Sequence, residues 1–120
     1  MKRRFALALA ATLCATAAQA MPVSEFLAEA EDIPHNPMAL LHEDARRLLG
    51  ESRQAFTTVR DERRAAVAAG RTPPFCPPEG QRMSLSADDF LDRLRSIPPS
   101  RRNISVTQAV REWMAERYPC

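Results

Sequence analysis

The sequence predicts an all-α fold, a small bundle of four to five helices held by one disulfide after a cleaved signal peptide. Apolar residues recur at helical spacing in four segments, and no segment alternates apolar and polar residues as a strand does. Prolines and glycines separate these segments, and two cysteines lie beyond the predicted signal peptide. With 120 residues, the chain has room for one domain.

The start of the chain has the three parts of a secretory signal peptide. A positively charged stretch at residues 2–4 precedes an apolar run over residues 5–18, and Ala18 and Ala20 have the small-x-small spacing after which a signal peptidase cuts. The apolar run is shorter than the roughly 20 residues of a membrane-spanning helix. We therefore expect cleavage after Ala20, a mature helical domain over residues 21–120, a periplasmic location and no stable membrane insertion.

Cleavage would change the charge balance of the protein. The first 20 residues hold three of the 17 basic residues and none of the 15 acidic ones, so the mature chain would carry 14 basic and 15 acidic side chains, a formal net charge of −1. Nucleic acids and anionic membranes bind surfaces on which positive charge is clustered. This balance argues against nucleic acid as the partner.

Two cysteines, Cys76 and Cys120, remain after cleavage. In an oxidising compartment such a pair usually forms a disulfide, and closing this loop would contribute about 4 kcal/mol in the chain-entropy model. Three alternatives stay open: Cys120 could pair with a second copy of the chain, the cysteines could bind a metal, or a thiol could be catalytic. No metal-ligand spacing and no recognisable base favours the last two. Within the signal segment, Leu13 before Cys14 disfavours a lipoprotein.

The first predicted helix runs from Ser24 to Glu31. Ser24 is a favourable N-cap, and an acidic residue follows it in the first turn, where it suits the helix dipole. The dipeptide Ile33–Pro34 ends the segment, because a residue before proline is disfavoured in the helical region.

The second segment begins at Asn36–Pro37, an N-cap followed by proline at the first helical position, and ends where Gly70 supplies a C-cap. Gly50 lies in its interior and predicts a kink, or two helices over residues 37–49 and 51–69. The predicted buried stripe consists of Leu41, Ala45, Leu48, Ser52, Ala55, Phe56, Val59 and Val67. A proline-rich strap over residues 71–83, which contains Cys76, follows as an irregular segment.

Two further helices complete the predicted bundle. Ser86 with Asp89, and Ser105 with Gln108, have the spacing of a capping box at the start of each helix. Their predicted buried faces are Phe90, Leu91, Leu94 and Ile97 in the third helix, and Val106, Ala109, Val110, Trp113 and Met114 in the fourth. Trp113 is therefore expected to be a core anchor.

The residues that could carry chemistry do not form a recognisable site. His35 and His42 lack the spacing of a metal-ligand set, and we interpret both as surface histidines. Asp88 and Asp89 point about 100° apart on a helix, so they cap the helix instead of converging on a substrate. Three glycines cannot build a phosphate-binding loop. The sequence thus predicts no cofactor, no metal and no enzymatic activity.

The second half of the chain resembles a known family. The residues that carry the resemblance are Phe75-Cys76-Pro77-Pro78, the helix led by Ser86, Pro99-Ser100-Arg101-Arg102, the helix with Ala109-Val110 and the terminal Tyr118-Pro119-Cys120. This pattern is similar to the C-terminal half of the type VI secretion amidase immunity proteins, the Rap/Tai family. Residues 21–75 depart from that family, because they contain no cysteine and have a long helix rich in arginine and glutamate.

The resemblance implies a function. Members of this family are small helical periplasmic proteins that bind and block peptidoglycan-cutting amidases delivered by rival bacteria, and their two cysteines at these positions pair, which implies a bond between Cys76 and Cys120. We expect a binding or inhibitory protein that occludes a partner, either an exported peptidoglycan amidase or another envelope protein. The alternative is a periplasmic structural or envelope-stress protein of the same fold without a toxin partner.

Overall fold

The computed structural model describes residues 20–80, 82 and 84–120, and within them the fold is all-α. Its helices are α1 (Val23–Glu31), α2 (Glu43–Ala68), α3 (Ala87–Ser96) and α4 (Val106–Arg117), with short 3-10 helices at Pro37–Leu41 and Pro99–Arg101. The described residues form no strand, and Pro22 and Ser105 make one isolated antiparallel bridge. The prediction of a small bundle of four to five helices held by one disulfide is confirmed, with four α-helices in the described residues. Ala18 and most of the predicted signal peptide lie outside the described residues.

Helix α1 begins one residue earlier than predicted, and Ser24 is not its N-cap. Pro22 occupies that position without a side-chain hydrogen bond. The backbone N–H of Val23 donates to the carbonyl of Ile104 at 2.9 Å, and that of Ser24 donates to Arg102 at 2.9 Å. Because the loop before α4 accepts these first-turn donors, the helix needs no capping side chain.

The predicted break in the second segment occurs at His42 and not at Gly50. The side chain of Asn36 accepts a hydrogen bond from the backbone N–H of Met38 at 2.9 Å, so the predicted start is present, but it opens a 3-10 helix. His42 then adopts an extended backbone (φ −76°, ψ 131°), and α2 continues through Gly50 for 26 residues. The expected division into two helices at Gly50 was wrong, since an exposed glycine lowers helix propensity without interrupting the hydrogen bonds.

Helix α2 ends as the sequence predicted. Gly70 has φ +68°, in the left-handed region that favours glycine. Its N–H donates to Val67 at 3.1 Å and the N–H of Arg71 donates to Ala66 at 2.9 Å, which together form a Schellman motif. The phase of this last turn buries Ala66 and leaves Val67 exposed, so the predicted place of Val67 on the buried stripe was wrong.

The starts of α3 and α4 are set by local capping. Ser86 accepts from the N–H of Asp89 at 3.0 Å, and the carboxylate of Asp89 accepts from the N–H of Ser86, which completes the predicted capping box. Ser105 accepts from the N–H of Gln108 at 3.0 Å. The side chain of Gln108 instead accepts from Arg111, so only half of the second box forms.

The strap is fastened to the carboxyl end of the chain. Cys76 and Cys120 form a disulfide, with their Cα atoms 4.9 Å apart. The N–H of Cys76 also donates to the carbonyl of Tyr118 at 2.8 Å. Phe75 is buried, and Arg63 on α2 covers it, with the guanidinium 5.8 Å from the ring centroid and Nε donating to the Phe75 carbonyl at 3.0 Å. The irregular strap is thus held by covalent, polar and apolar contacts.

Candidate functional site

One aromatic ring from each α-helix meets at the centre of the bundle. Phe26 of α1 and Phe56 of α2 both contact Phe90 of α3, at centroid distances of 5.5 and 5.6 Å. Phe90 also stacks on Trp113 of α4 at 6.2 Å, with 24° between the ring planes. Trp113 is buried, which confirms its predicted role as a core anchor. This cluster fixes the positions of α1 and α3 relative to α2 and α4.

An open apolar groove of about 520 Å³ lies over one side of this cluster. Phe26 and Phe90 form its floor, and the walls come from α1 and the segment after it, the first half of α2 and the first half of α3. The principal apolar wall residues are Ala30, Ile33, Leu48, Leu49 and Leu91. The groove has the size and lining typical of a site that receives an apolar group.

The segments that line the groove also carry large apolar side chains that are exposed. Leu49, which lines the wall, is 43% exposed, and Met38 and Leu41 on the 3-10 helix are 64% and 63% exposed. The sequence placed Leu41 on the buried stripe, and that prediction was wrong because the break at His42 ends the stripe. Where such side chains form a contiguous patch, they mark a surface that contacts other molecules.

Acidic side chains predominate on the segments that frame the groove. Asp88 lines it, Glu31 and Asp32 directly precede Ile33, and Glu43 begins α2. Within the described part of the chain these four carboxylates have no ion-pair partner. Exposed Arg46 is the opposing cation in the first turns of α2. One such carboxylate, that of Asp88, therefore lies in the lining, and the segments next to the groove carry three more.

An ion pair links two of the helices that form the groove, α1 and α2. Arg47 of α2 donates to the carboxylate of Glu29 on α1. This hydrogen bond raises the pKa of Arg47 above its ordinary value. The pair neutralises both groups and leaves the acidic residues around the groove as the net charge that a partner would meet.

The residues named from the sequence are not brought together into one site. Cys76 and Cys120 are bonded to each other, and neither lines the groove. Ala20 of the predicted cleavage site is half-buried beside α4. Asp89 is engaged in the capping box, as predicted, whereas Asp88 faces the groove.

His35 is a groove residue that sequence reasoning interpreted only as a surface histidine. It lines the groove beside Asn36, whereas His42 lies 3.7 Å from Asp44. No spacing in the sequence identifies His35 as a groove residue, because the groove also takes residues from α1, α2 and α3. Among the described residues, no group of three or more histidine, cysteine, aspartate or glutamate side chains is arranged to hold a metal ion. No helix in the same part of the chain is long and apolar enough to cross a membrane.

Comparison with known proteins gives no relative. The chain matches no protein-family model, and neither a curated protein nor a solved structure is significantly similar to it.

Proposed function

We propose that this protein is an exported, periplasmic binding protein that blocks an exported peptidoglycan amidase by occlusion, as the Rap/Tai immunity proteins do. The observation that carries the proposal is the open apolar groove, with Leu49 exposed in its wall and the carboxylate of Asp88 in its lining. An apolar surface that stays open in the monomer lowers its free energy when a partner covers it. The disulfide between Cys76 and Cys120 suits a small domain that works outside the cytoplasm.

The chemistry of the groove defines the part of the partner that it would receive. The floor of Phe26 and Phe90, extended by Leu49, suits a few apolar side chains on a short helix or loop. Carboxylates around the mouth favour lysine or arginine on both flanks of that element. The proposed contact is therefore a basic-flanked, apolar protrusion of the amidase.

Binding and inhibition test this proposal directly. The amidase to use is one encoded beside the gene for this protein, since toxin and immunity genes are expected to be neighbours. We expect a stable complex by calorimetry and loss of peptidoglycan cleavage when the protein is added in equimolar amount. Absence of such a neighbouring gene, or full amidase activity in the presence of the protein, would overturn the proposal and favour the structural or envelope-stress alternative.

A matched pair of variants locates the contact. Leu49→Glu places a charge in the groove wall, whereas Val67→Glu places the same charge on an exposed position of the same helix, about 27 Å further along α2. We expect Leu49→Glu to weaken binding at least about tenfold, which corresponds to roughly 1.4 kcal/mol. Val67→Glu should bind as the unaltered protein does. Equal weakening by both substitutions would show that the groove is not the contact.

A further inference from the structure

The first residue after the predicted cleavage site is buried and hydrogen-bonded in the folded domain. Met21 is buried, and its carbonyl accepts from the N–H of Val106 at 2.8 Å. Its own backbone nitrogen lies 3.4 Å from Oε2 of Glu51 on α2. With the bond from Val23 to Ile104, these contacts hold the beginning of the predicted mature chain between α2 and the start of α4.

Glu51 is a half-buried carboxylate whose observed hydrogen-bond partner is that backbone nitrogen. No arginine or histidine forms an ion pair with it in the described part of the chain. Arg111, which lines a cavity together with Ala20, is engaged by Glu62, whose oxygens accept from it at distances down to 2.6 Å. A partly desolvated carboxylate is stabilised by a cation, and a neutral amide N–H is a weak substitute for one.

We propose that proteolytic processing supplies this cation: cleavage after Ala20 turns the Met21 nitrogen into an α-ammonium group that pairs with Glu51. Hydrolysis of the Ala20–Met21 peptide bond consumes one water, leaves the Ala20 carbonyl as a carboxylate on the released segment and frees the Met21 amine. That amine takes up a proton near neutral pH, because an α-amino group has a pKa of about 7.7–8.0. The one N–H donor of the Met21 amide is replaced by the three N–H donors and the positive charge of the ammonium group.

The surroundings of Ala20 suit a charged terminus. Ala20 lines a cavity of about 460 Å³ together with the polar side chains of Gln54 and Asn103 and with Arg111, whose charge is paired with Glu62. Water in this cavity can hydrate the ammonium donors that Glu51 does not use, so the charge is not isolated. Because Met21 is buried in the folded domain, the protease must act before this segment packs. Cleavage would then stabilise the fold that follows it.

This inference rests on the export proposed above, and not on the amidase partner. Two chains test it, one beginning at Met21 and one at Thr16, five residues earlier, each released from a fusion protein and oxidised to form the disulfide. Glu51→Gln is placed in both chains. The exposed substitution Glu79→Gln serves as the control, and the thermal midpoint Tm is the readout.

We expect the chain that begins at Met21 to melt about 4 °C higher than the longer chain, a shift typical of a single added interaction in a domain of this size. Glu51→Gln should remove this difference by lowering the Tm of the Met21 chain alone, and Glu79→Gln should change neither. Equal Tm values for the two chains, or an equal effect of Glu51→Gln on both, would show that the Met21 ammonium group does not pair with Glu51.

Mass spectrometry of protein recovered from the periplasm provides the second measurement. A mature chain whose first residue is Met21 supports the inference, and any other first residue refutes it. A protein that inhibits no amidase but shows the Tm pattern above would refute the proposed function and leave this inference standing, so the two failures are distinguishable.

Discussion

The rings of Phe26 and Phe90 meet at 80°, with their centroids 5.5 Å apart, and this contact is both part of the core and the floor of the groove. The groove and the stability of the bundle therefore depend on the same residues. Substitutions that test binding must avoid the floor and use the exposed wall, as Leu49 does.

Phe90→Ala is expected to destabilise the protein by about 3–5 kcal/mol, because the ring is buried and contacts an aromatic residue from each of the other three α-helices. Chemical denaturation of the purified protein measures the loss. Leu41→Ala, at a side chain that is 63% exposed, should change stability by no more than about 0.5 kcal/mol. A similar loss from the two substitutions would contradict the described core.

Replacing both cysteines, Cys76→Ala with Cys120→Ala, should lower the free energy of unfolding by about 2–4 kcal/mol, because the bond limits the conformations of the unfolded chain. Denaturation of the oxidised protein with and without reductant gives the same comparison. Reductant should have no effect on the double variant. An oxidised protein no more stable than the double variant would show that the bond contributes nothing.

Arg63→Met should destabilise the protein by about 1–3 kcal/mol and increase hydrogen exchange in the strap. The substitution removes the charged hydrogen bond to the Phe75 carbonyl and the cation–π contact with the same ring. Arg64→Met is the matched control on the next, exposed position of α2. If both variants exchange alike, Arg63 does not hold the strap.

Glu62→Gln should reduce stability in a pH-dependent manner. The hydrogen bond from Arg111 holds the pKa of Glu62 below its ordinary value, so the pair stabilises the fold above the unfolded-state pKa of about 4.3 and the contribution is lost as the pH falls through the lower folded-state value. Because both side chains are about two-fifths exposed, we expect no more than about 1 kcal/mol.

Denaturation at neutral pH and well below pH 4 measures this dependence. The difference between the unaltered protein and Glu62→Gln should be present at neutral pH and disappear at the acidic end. Asp61→Asn, a neighbouring exposed carboxylate, is the control. A difference that is independent of pH would mean that the ion pair with Arg111 is not its cause.

Much of the fold could be predicted because its determinants are local. The serine and asparagine caps at Asn36, Ser86 and Ser105, and the glycine at Gly70, act on backbone groups within a few residues, so their effect follows from spacing alone. The periodicity of apolar residues likewise placed Trp113 in the core.

The sequence by itself determined the helical class, the order of the helices, most of their ends and the pair of cysteines, since each depends on neighbouring residues or on residue type. Only the tertiary structure decided that Val23 begins α1, that His42 interrupts the second segment, and that Phe26, Leu49 and Asp88 share one groove. The tertiary structure alone also decided that the backbone nitrogen of Met21 lies beside Glu51. Apart from the local break at His42, these relationships join residues far apart in the chain. They exist only once the helices have packed, because no local pattern connects the groups that meet.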